Sequence, residues 1–162
     1  MKYHTVRRTF LIALMVCTIC FFLPLQIYII SGNAGFGIET ALFRYQLSAQ
    51  GTSLILLTTD LSYVTGGLYS GRTALSVCFW IAGSIALIIT TAFSLIFAWD
   101  MKKKQIRIIN YGLIGSAVLF LISCMLQYGP LLKGAAGISM PIGILVILVS
   151  VYIFHSLEEW FV

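Results

Sequence analysis

The sequence predicts an all-α membrane protein, namely a four-transmembrane-helix bundle with a small extracellular antiparallel β-sheet or hairpin in its first outer loop. The 162 residues are 60% hydrophobic and 9% charged, whereas a soluble domain carries about 25% charged residues. Four long apolar segments each approach the roughly 20 residues that a helix needs to cross a bilayer. The rest of the chain suffices for one long loop and short connections, so we predict a single integral membrane domain over residues 1–162.

The four apolar segments define the predicted spans. They cover about residues 9–30, 74–99, 108–128 and 138–157. Pro24 falls near the outer end of the first span, and Pro141 falls in the first turn of the fourth, where proline is tolerated.

The basic residues indicate the orientation of these spans. Most flank the N-terminus and the connection between the second and third spans: Lys2, Arg7, Arg8, Lys102, Lys103, Lys104 and Arg107. The other side carries Arg44, Arg72 and Lys133. Because cytoplasmic flanks are rich in Lys and Arg, we predict a multi-pass protein of the plasma membrane with both termini cytoplasmic. The basic residues form no patch interleaved with exposed aromatics, which argues against a nucleic-acid partner.

The outer loop, residues 31–73, is the only long stretch that can fold outside the bilayer. It opens with turn formers over 31–37. Partial alternation of apolar and polar residues predicts a strand over 38–47, Gln50-Gly51 predicts a turn, and 52–59 predicts a second strand of a hairpin. Asp60 is a candidate N-cap of a short helix that ends at Gly66-Gly67.

Charged residues in and beside the loop are the candidate site. Arg44 and Arg72 can each pair with Glu39 or Asp60 and so anchor the loop to the bundle. The alternative is that these arginines bind an anionic lipid or a protein partner.

Small residues in the last two spans predict close helix packing. They are Gly112, Gly115 and Ser116 in the third span, and Ala135, Ser139 and Gly143, spaced by four, at the start of the fourth.

No motif for catalysis, a cofactor or a metal ion is present, and we predict a protein that is not an enzyme. Cys17 and Cys20 have CxxC spacing, but isolated cysteines in apolar segments usually pack as small apolar residues. His155 shares a helical face with Glu158 and Glu159, which we interpret as a solvated helix end rather than a proton relay or a metal site.

The layout resembles the claudin and PMP22-like tetraspan superfamily. The stretch Ala41-Leu42-Phe43-Arg44 is similar to the family's Gly-Leu-Trp followed by a basic residue, with Phe43 in place of Trp. The stretch Arg72-Thr73-Ala74-Leu75 is similar to Arg-Ala-Leu before the second span. The resemblance implies an outer antiparallel sheet that contacts neighbouring molecules. The paired loop cysteines of the family are absent.

Three functions stay open. The first is a non-enzymatic protein that self-associates, or organises the membrane or cell surface, through its first outer loop, with membrane lipids and further copies as partners. The second is an accessory subunit of a larger transporter, channel or enzyme complex. The third is a small channel or carrier, for which the polar residues of the spans form no continuous stripe.

Overall fold

From Gln26 onward, the described residues form four helices and a six-stranded sheet, and the described residues of 10–19 are helical. The computed structural model of the protein describes residues 10–11, 14–15, 18–96 and 103–159, apart from the side chains of Asn33 and 157–159. The elements follow in this order: β1 Gln26–Ile30, a 3₁₀ turn Ser31–Asn33, β2 Gly35–Glu39, β3 Phe43–Ser48, β4 Gly51–Leu56, α1 Leu57–Thr65, α2 Gly71–Ile96, α3 Lys103–Tyr128, β5 Lys133–Gly134, β6 Gly137–Met140 and α4 Ile142–Glu159.

The sheet is antiparallel throughout and has the strand order β4-β3-β2-β1-β6-β5. Strands β1 to β4 follow one another in the chain as a meander. Strands β5 and β6 come from the connection between α3 and α4, and β6 pairs with β1. The sheet therefore combines both segments that lie outside the long helices.

The predicted four-transmembrane-helix all-α bundle is wrong. Among the described residues, only α2 and α3 are long and apolar enough to cross a membrane. The apolar part of α4, Ile142–Ser156, is shorter than the roughly 20 residues of a span. The sheet is also much larger than the hairpin that the sequence predicted, because it takes residues from the predicted first and fourth spans.

Both of those predicted spans contain a strand. The described residues of 10–19 are helical, but the chain then turns, and 26–30 form β1. Pro24 cannot continue a helix, and the β-branched Ile27, Ile29 and Ile30 suit a strand. In the fourth span, β6 takes 137–140, and the helix begins only after Pro141.

The loop prediction is partly confirmed. The hairpin exists as β3 and β4, with its turn at Ala49-Gln50. The predicted strand over 38–47 is wrong, because a turn at 40–42 divides it between β2 and β3, and the predicted strand over 52–59 ends at Leu56. The turn formers over 31–37 form the 3₁₀ turn and the start of β2. Helix α1 begins at 57, so Asp60 lies in its first turn and Leu56 is the N-cap. The helix ends at Gly66, as predicted.

Helices α2 and α3 pack along their length. Near the sheet, the Ser76 hydroxyl donates to the Ser123 carbonyl (2.9 Å), and the Ser123 hydroxyl donates to the Ser76 carbonyl (2.8 Å). Farther along, the Phe120 ring lies against Gly83, where a Cβ would stand 2.9 Å from the ring. Reciprocal hydroxyl bonds and a missing side chain both permit close approach of two helices.

The predicted packing residues divide into two groups. Gly112 faces Thr90 across the α2–α3 contact, and Gly143 lies against the backbone at Pro24, so both allow close approach. Ser116 is buried but donates to Leu113 within its own helix. Gly115 has open space beside it. Ala135 and Ser139 are not helical, because they lie in the β5–β6 turn and in β6.

Gly112→Ala should destabilise the protein, because the added Cβ would stand 2.2 Å from Thr90 Oγ1 and 3.1 Å from Thr90 Cβ. Overpacking of this kind costs about 1–3 kcal/mol. Gly115→Ala is the matched control: with no atom within 4 Å, it should leave stability unchanged or raise it by up to about 1 kcal/mol. Thermal unfolding in mild detergent measures both. Equal effects of the two changes would contradict the close contact at Gly112.

Candidate functional site

Three charged side chains meet beneath the sheet and form what we call the buried ion triad: Glu39, Arg44 and Asp60. Glu39 ends β2, Arg44 is its direct partner in β3, and Asp60 lies in the first turn of α1. Arg44 Nε lies 3.2 Å from Glu39 Oε2, and Arg44 Nη2 lies 3.2 Å from Asp60 Oδ2. One guanidinium therefore joins two strands to the helix that follows them.

Helix α2 also contacts the triad, through Trp80. The Arg44 guanidinium carbon lies 5.7 Å from the centroid of the Trp80 ring, a distance at which a cation and an aromatic face attract. The Trp80 indole N–H donates to the Thr40 carbonyl at 2.9 Å. The same tryptophan thus contacts the cation and fixes the turn between β2 and β3.

That turn is held by the Thr40 side chain. Its hydroxyl oxygen accepts from the backbone N–H groups of Leu42 (3.2 Å) and Phe43 (3.1 Å). The Thr40 backbone N–H donates to the Phe43 carbonyl at 2.9 Å. Ala41 at its tip is fully buried. The turn therefore inserts into the protein interior and places Glu39 and Arg44 side by side.

Burial dominates the electrostatics of the triad. Burial raises the pKa of Glu39, against the opposing effects of Arg44 and the Gln26 amide. Burial also raises the pKa of Asp60, with Arg44 and Tyr69 opposing it. Burial alone would lower the pKa of Arg44, but the two carboxylates together raise it. Since one cation faces two acids, the triad has one negative charge in excess when both acids are ionised.

Gln26 connects the triad to the rest of the sheet and to α3. Its Oε1 accepts from the Ser139 hydroxyl of β6 (2.7 Å) and from the Cys124 thiol of α3 (2.9 Å). Ser139, predicted as a helix-packing residue, is therefore a polar contact between two strands. Gln26 falls in the predicted first span, and neither it nor Trp80 was among the predicted site residues, although a buried indole N–H needs a partner.

The other two predicted loop residues lie outside the triad. Arg72 is exposed at the start of α2 and lines a separate cavity with Gln127 and Tyr128. The prediction that it pairs with Glu39 or Asp60 is therefore wrong, because Arg44 occupies both carboxylates. Phe43 begins β3 and points away from the triad, because its neighbour Arg44 points toward it.

The outer face of the sheet, opposite the triad, is apolar on every long strand. Pairing partners share a face, and alternate residues point to opposite faces, so the register defines this surface. Its apolar residues are Ile27, Ile29, Phe36, Ile38, Phe43, Tyr45, Leu47, Leu54, Leu56, Ile138 and Met140, and two polar residues at its ends, Thr52 and Lys133, share the face. None of these side chains is buried, and Leu54 is 62% exposed. The outer face is therefore mostly apolar, whereas the charged residues of β2 and β3, Glu39 and Arg44, lie on the inner face.

The two edges of the sheet differ. Strand β4, at one edge, has six residues, and its sequence Gly-Thr-Ser-Leu-Ile-Leu contains no charge and no proline. Strand β5, at the other edge, has two residues and carries Lys133. Short edge strands and lysines prevent edge pairing. Only β4 therefore offers an unprotected row of backbone donors and acceptors.

Metal-ligating chemistry is not found in the part of the chain that the structure describes, where no group of three His, Cys, Asp or Glu residues could hold an ion. Cys20, Cys78 and Cys124 are free thiols. Cys17 of the CxxC pair lies outside the described residues, as do the side chains of Glu158 and Glu159 beside His155.

Comparison with known proteins gives no family for this chain. No protein-family model matches it, and no curated protein is significantly similar to it.

Arg44→Met should destabilise the protein by about 3–5 kcal/mol, because it leaves two buried carboxylates without a counter-ion. Arg72→Met is the matched control and should change stability by less than about 0.5 kcal/mol, as exposed substitutions do. Thermal unfolding and proteolysis of the segment before α2 measure the effect. Adding Glu39→Gln and Asp60→Asn to Arg44→Met should recover much of the loss. Failure to recover would show that packing, not charge, accounts for it.

The triad should also make stability fall as pH rises through the mildly acidic range. A buried acid with a raised pKa is protonated in the folded protein between its ordinary value, 4.5 for Glu39, and its raised value. The unfolded chain has lost that proton, so folding is favoured as pH falls into this window. The melting temperature should be higher at about pH 5 than at about pH 8, and Glu39→Gln should flatten the slope. The opposite slope would mean that pairing with Arg44 outweighs burial.

Proposed function

We propose that this is a non-enzymatic membrane protein that associates with further copies of itself through its sheet. Two features support a membrane location. Helices α2 and α3 are long and apolar enough to cross a membrane. In the most apolar 18-residue stretch of each helix, only 39% and 44% of the residues are buried. The other residues of these stretches are at least partly exposed, and lipid is the solvent that suits exposed isoleucine and leucine.

The connectivity supports a two-sided arrangement. Strands β1 to β4 precede α2, and β5 and β6 follow α3, yet all six form one sheet. If α2 and α3 both cross the membrane, the sheet lies wholly on one side of it. Lys103, Lys104 and Arg107 then lie on the other side, which the positive-inside rule assigns to the cytoplasm. We therefore propose a multi-pass protein of the plasma membrane whose sheet lies on the outer side.

The single observation that carries the proposal is the apolar outer face of the sheet. A monomeric soluble surface rarely exposes contiguous apolar patches larger than a few hundred Å². The five longer strands, spaced about 4.8 Å apart and each rising about 3.3 Å per residue over about five residues, make a face of about 400 Å² in projection. Exposed apolar patches of this size are often contact surfaces, which supports a partner on this face.

The edge strand β4 indicates that the partner is a second copy. A twofold axis beside β4 would pair it antiparallel with the β4 of the other copy and satisfy both rows of backbone groups at once. Two sheets joined in this way present about 800 Å² of continuous apolar face, the area that a standard interface needs on each side. We therefore expect edge-paired dimers that stack through their outer faces into larger assemblies.

Leu54→Lys should reduce the assembly to monomers, because it places a charge on the edge strand and on the apolar face together. Leu68→Lys is the matched control, since Leu68 is 73% exposed but lies between α1 and α2, away from the sheet. Light scattering after size exclusion in mild detergent gives the mass of each variant. A wild-type protein that is strictly monomeric, or a Leu54→Lys variant of unchanged mass, would overturn the proposal.

Cross-linking tests the edge pairing separately from the stacking. Ser53→Cys in a Cys78→Ser background should form a disulfide between copies, whereas Lys133→Cys on the protected edge should not.

Purification from the native membrane tests the alternative. Recovery of a different chain at a fixed ratio, with no second copy of this one, would favour the accessory-subunit function instead. Similarity to the claudin and PMP22-like superfamily stays a prediction.

A further inference from the structure

A groove between α3 and α4 lies at the end of the protein opposite the sheet. Its volume is about 410 Å³, and it is lined by Arg107, Asn110, Tyr111, Ile114, Val151 and His155. This volume falls within the range of small-molecule sites. Neither the self-association described above nor the triad uses these residues.

The groove changes from polar to apolar along its length. On α3, Arg107 and Ile114 are seven residues apart, which corresponds to about 10 Å at a rise of about 1.5 Å per residue. On α4, His155 and Val151 are one turn apart. Because the two helices run in opposite directions, Arg107 and His155 form one end, and Ile114 and Val151 form the other.

Asn110 fixes the position of α4 at this groove. With its amide oriented to satisfy both neighbours, Asn110 Nδ2 donates to the Val151 carbonyl (3.1 Å) and its oxygen accepts from the His155 N–H (3.2 Å). These two groups are the partners of one helical hydrogen bond, so the side chain of α3 inserts into the ladder of α4. The floor of the groove is thereby held rather than left to mobile side chains.

We propose that this groove binds an anionic phospholipid. The phosphate group contacts Arg107 and His155, and the glycerol and upper acyl carbons lie along Ile114 and Val151. Arg is well suited to phosphate oxygens because its planar guanidinium can donate two parallel hydrogen bonds. Tyr111 is 68% exposed beside the groove, as tyrosines at a membrane interface often are.

Charge and surroundings favour a lipid over a free phosphate ion. Lys103, Lys104 and Arg107 on α3 outnumber the two acids of this end of α4, Glu158 and Glu159, and basic pockets between helices at the cytoplasmic boundary suit anionic lipid headgroups. Beyond Ile114, the outward surface of α3 continues with the exposed residues Val118 and Leu121. A free phosphate would leave this apolar part of the groove without a partner. The inference rests on the proposed membrane location and not on self-association.

The test is native mass spectrometry of the full chain, released from detergent after incubation with equal amounts of phosphatidylglycerol and phosphatidylcholine that carry the same acyl chains. The wild-type protein should retain phosphatidylglycerol preferentially. Arg107→Gln should lower that preference about fivefold, the effect of one basic residue at a membrane surface, and Arg107→Lys should preserve most of it. Arg72→Gln is the matched control, because Arg72 lines a different cavity, and should leave the preference unchanged.

Two further measurements complete the test. Ile114→Trp should fill the apolar end of the groove and lower the retention of both lipids. This variant also tests the proposal if Arg107→Gln does not fold. Inorganic phosphate alone should not raise the melting temperature, whereas phosphatidylglycerol should. An unchanged preference in Arg107→Gln, or stabilisation by inorganic phosphate equal to that by the lipid, overturns the proposal. Leu54→Lys should keep the lipid preference even as a monomer, so that failure of self-association and failure of lipid binding are distinguishable.

Discussion

The ion pairs of Arg44 are the contact on which the rest of the fold depends. They join β2, β3 and α1 at one point, and Trp80 adds α2 to the same point. Buried ion pairs contribute little net stability, but removing one partner is costly. The triad therefore acts chiefly as a constraint on geometry: it allows one placement of the sheet on the helices and penalises the others.

Particular residues show how far the sequence predicts this structure. Gln50-Gly51 and the residues around it predicted the β3–β4 hairpin, because turn chemistry is local. The pairing of Arg44 with Glu39 and Asp60 was also predicted, since a charge in an apolar chain needs a partner. Arg72 satisfied the same argument and yet pairs with neither acid, because the choice between two arginines depends on tertiary position.

The main error has a physical cause in strands β1 and β6. Hydropathy counts apolar residues, and a strand that is apolar on one face and next to an apolar helix raises the count as much as another helical turn does. Residues 26–30 and 138–140 were therefore absorbed into predicted spans. The sequence also could not predict that the apolar face of the sheet points outward. Which face of a strand is inside depends on Gln26, Glu39 and Arg44 meeting partners from distant parts of the chain.

The pairing of β1 with β6 also constrains the order in which the protein can fold. Strands β1 to β4 are made first and can form a meander from local contacts, but β1 stays an open edge until residues 137–140 have been synthesised. Contacts between segments so far apart in sequence form slowly. During this interval the sheet of the nascent chain has two unpaired edge strands, β1 and β4, instead of β4 alone. The β1 edge is therefore protected from pairing between molecules only once β6, which follows α3 in the chain, has been made and has docked on it.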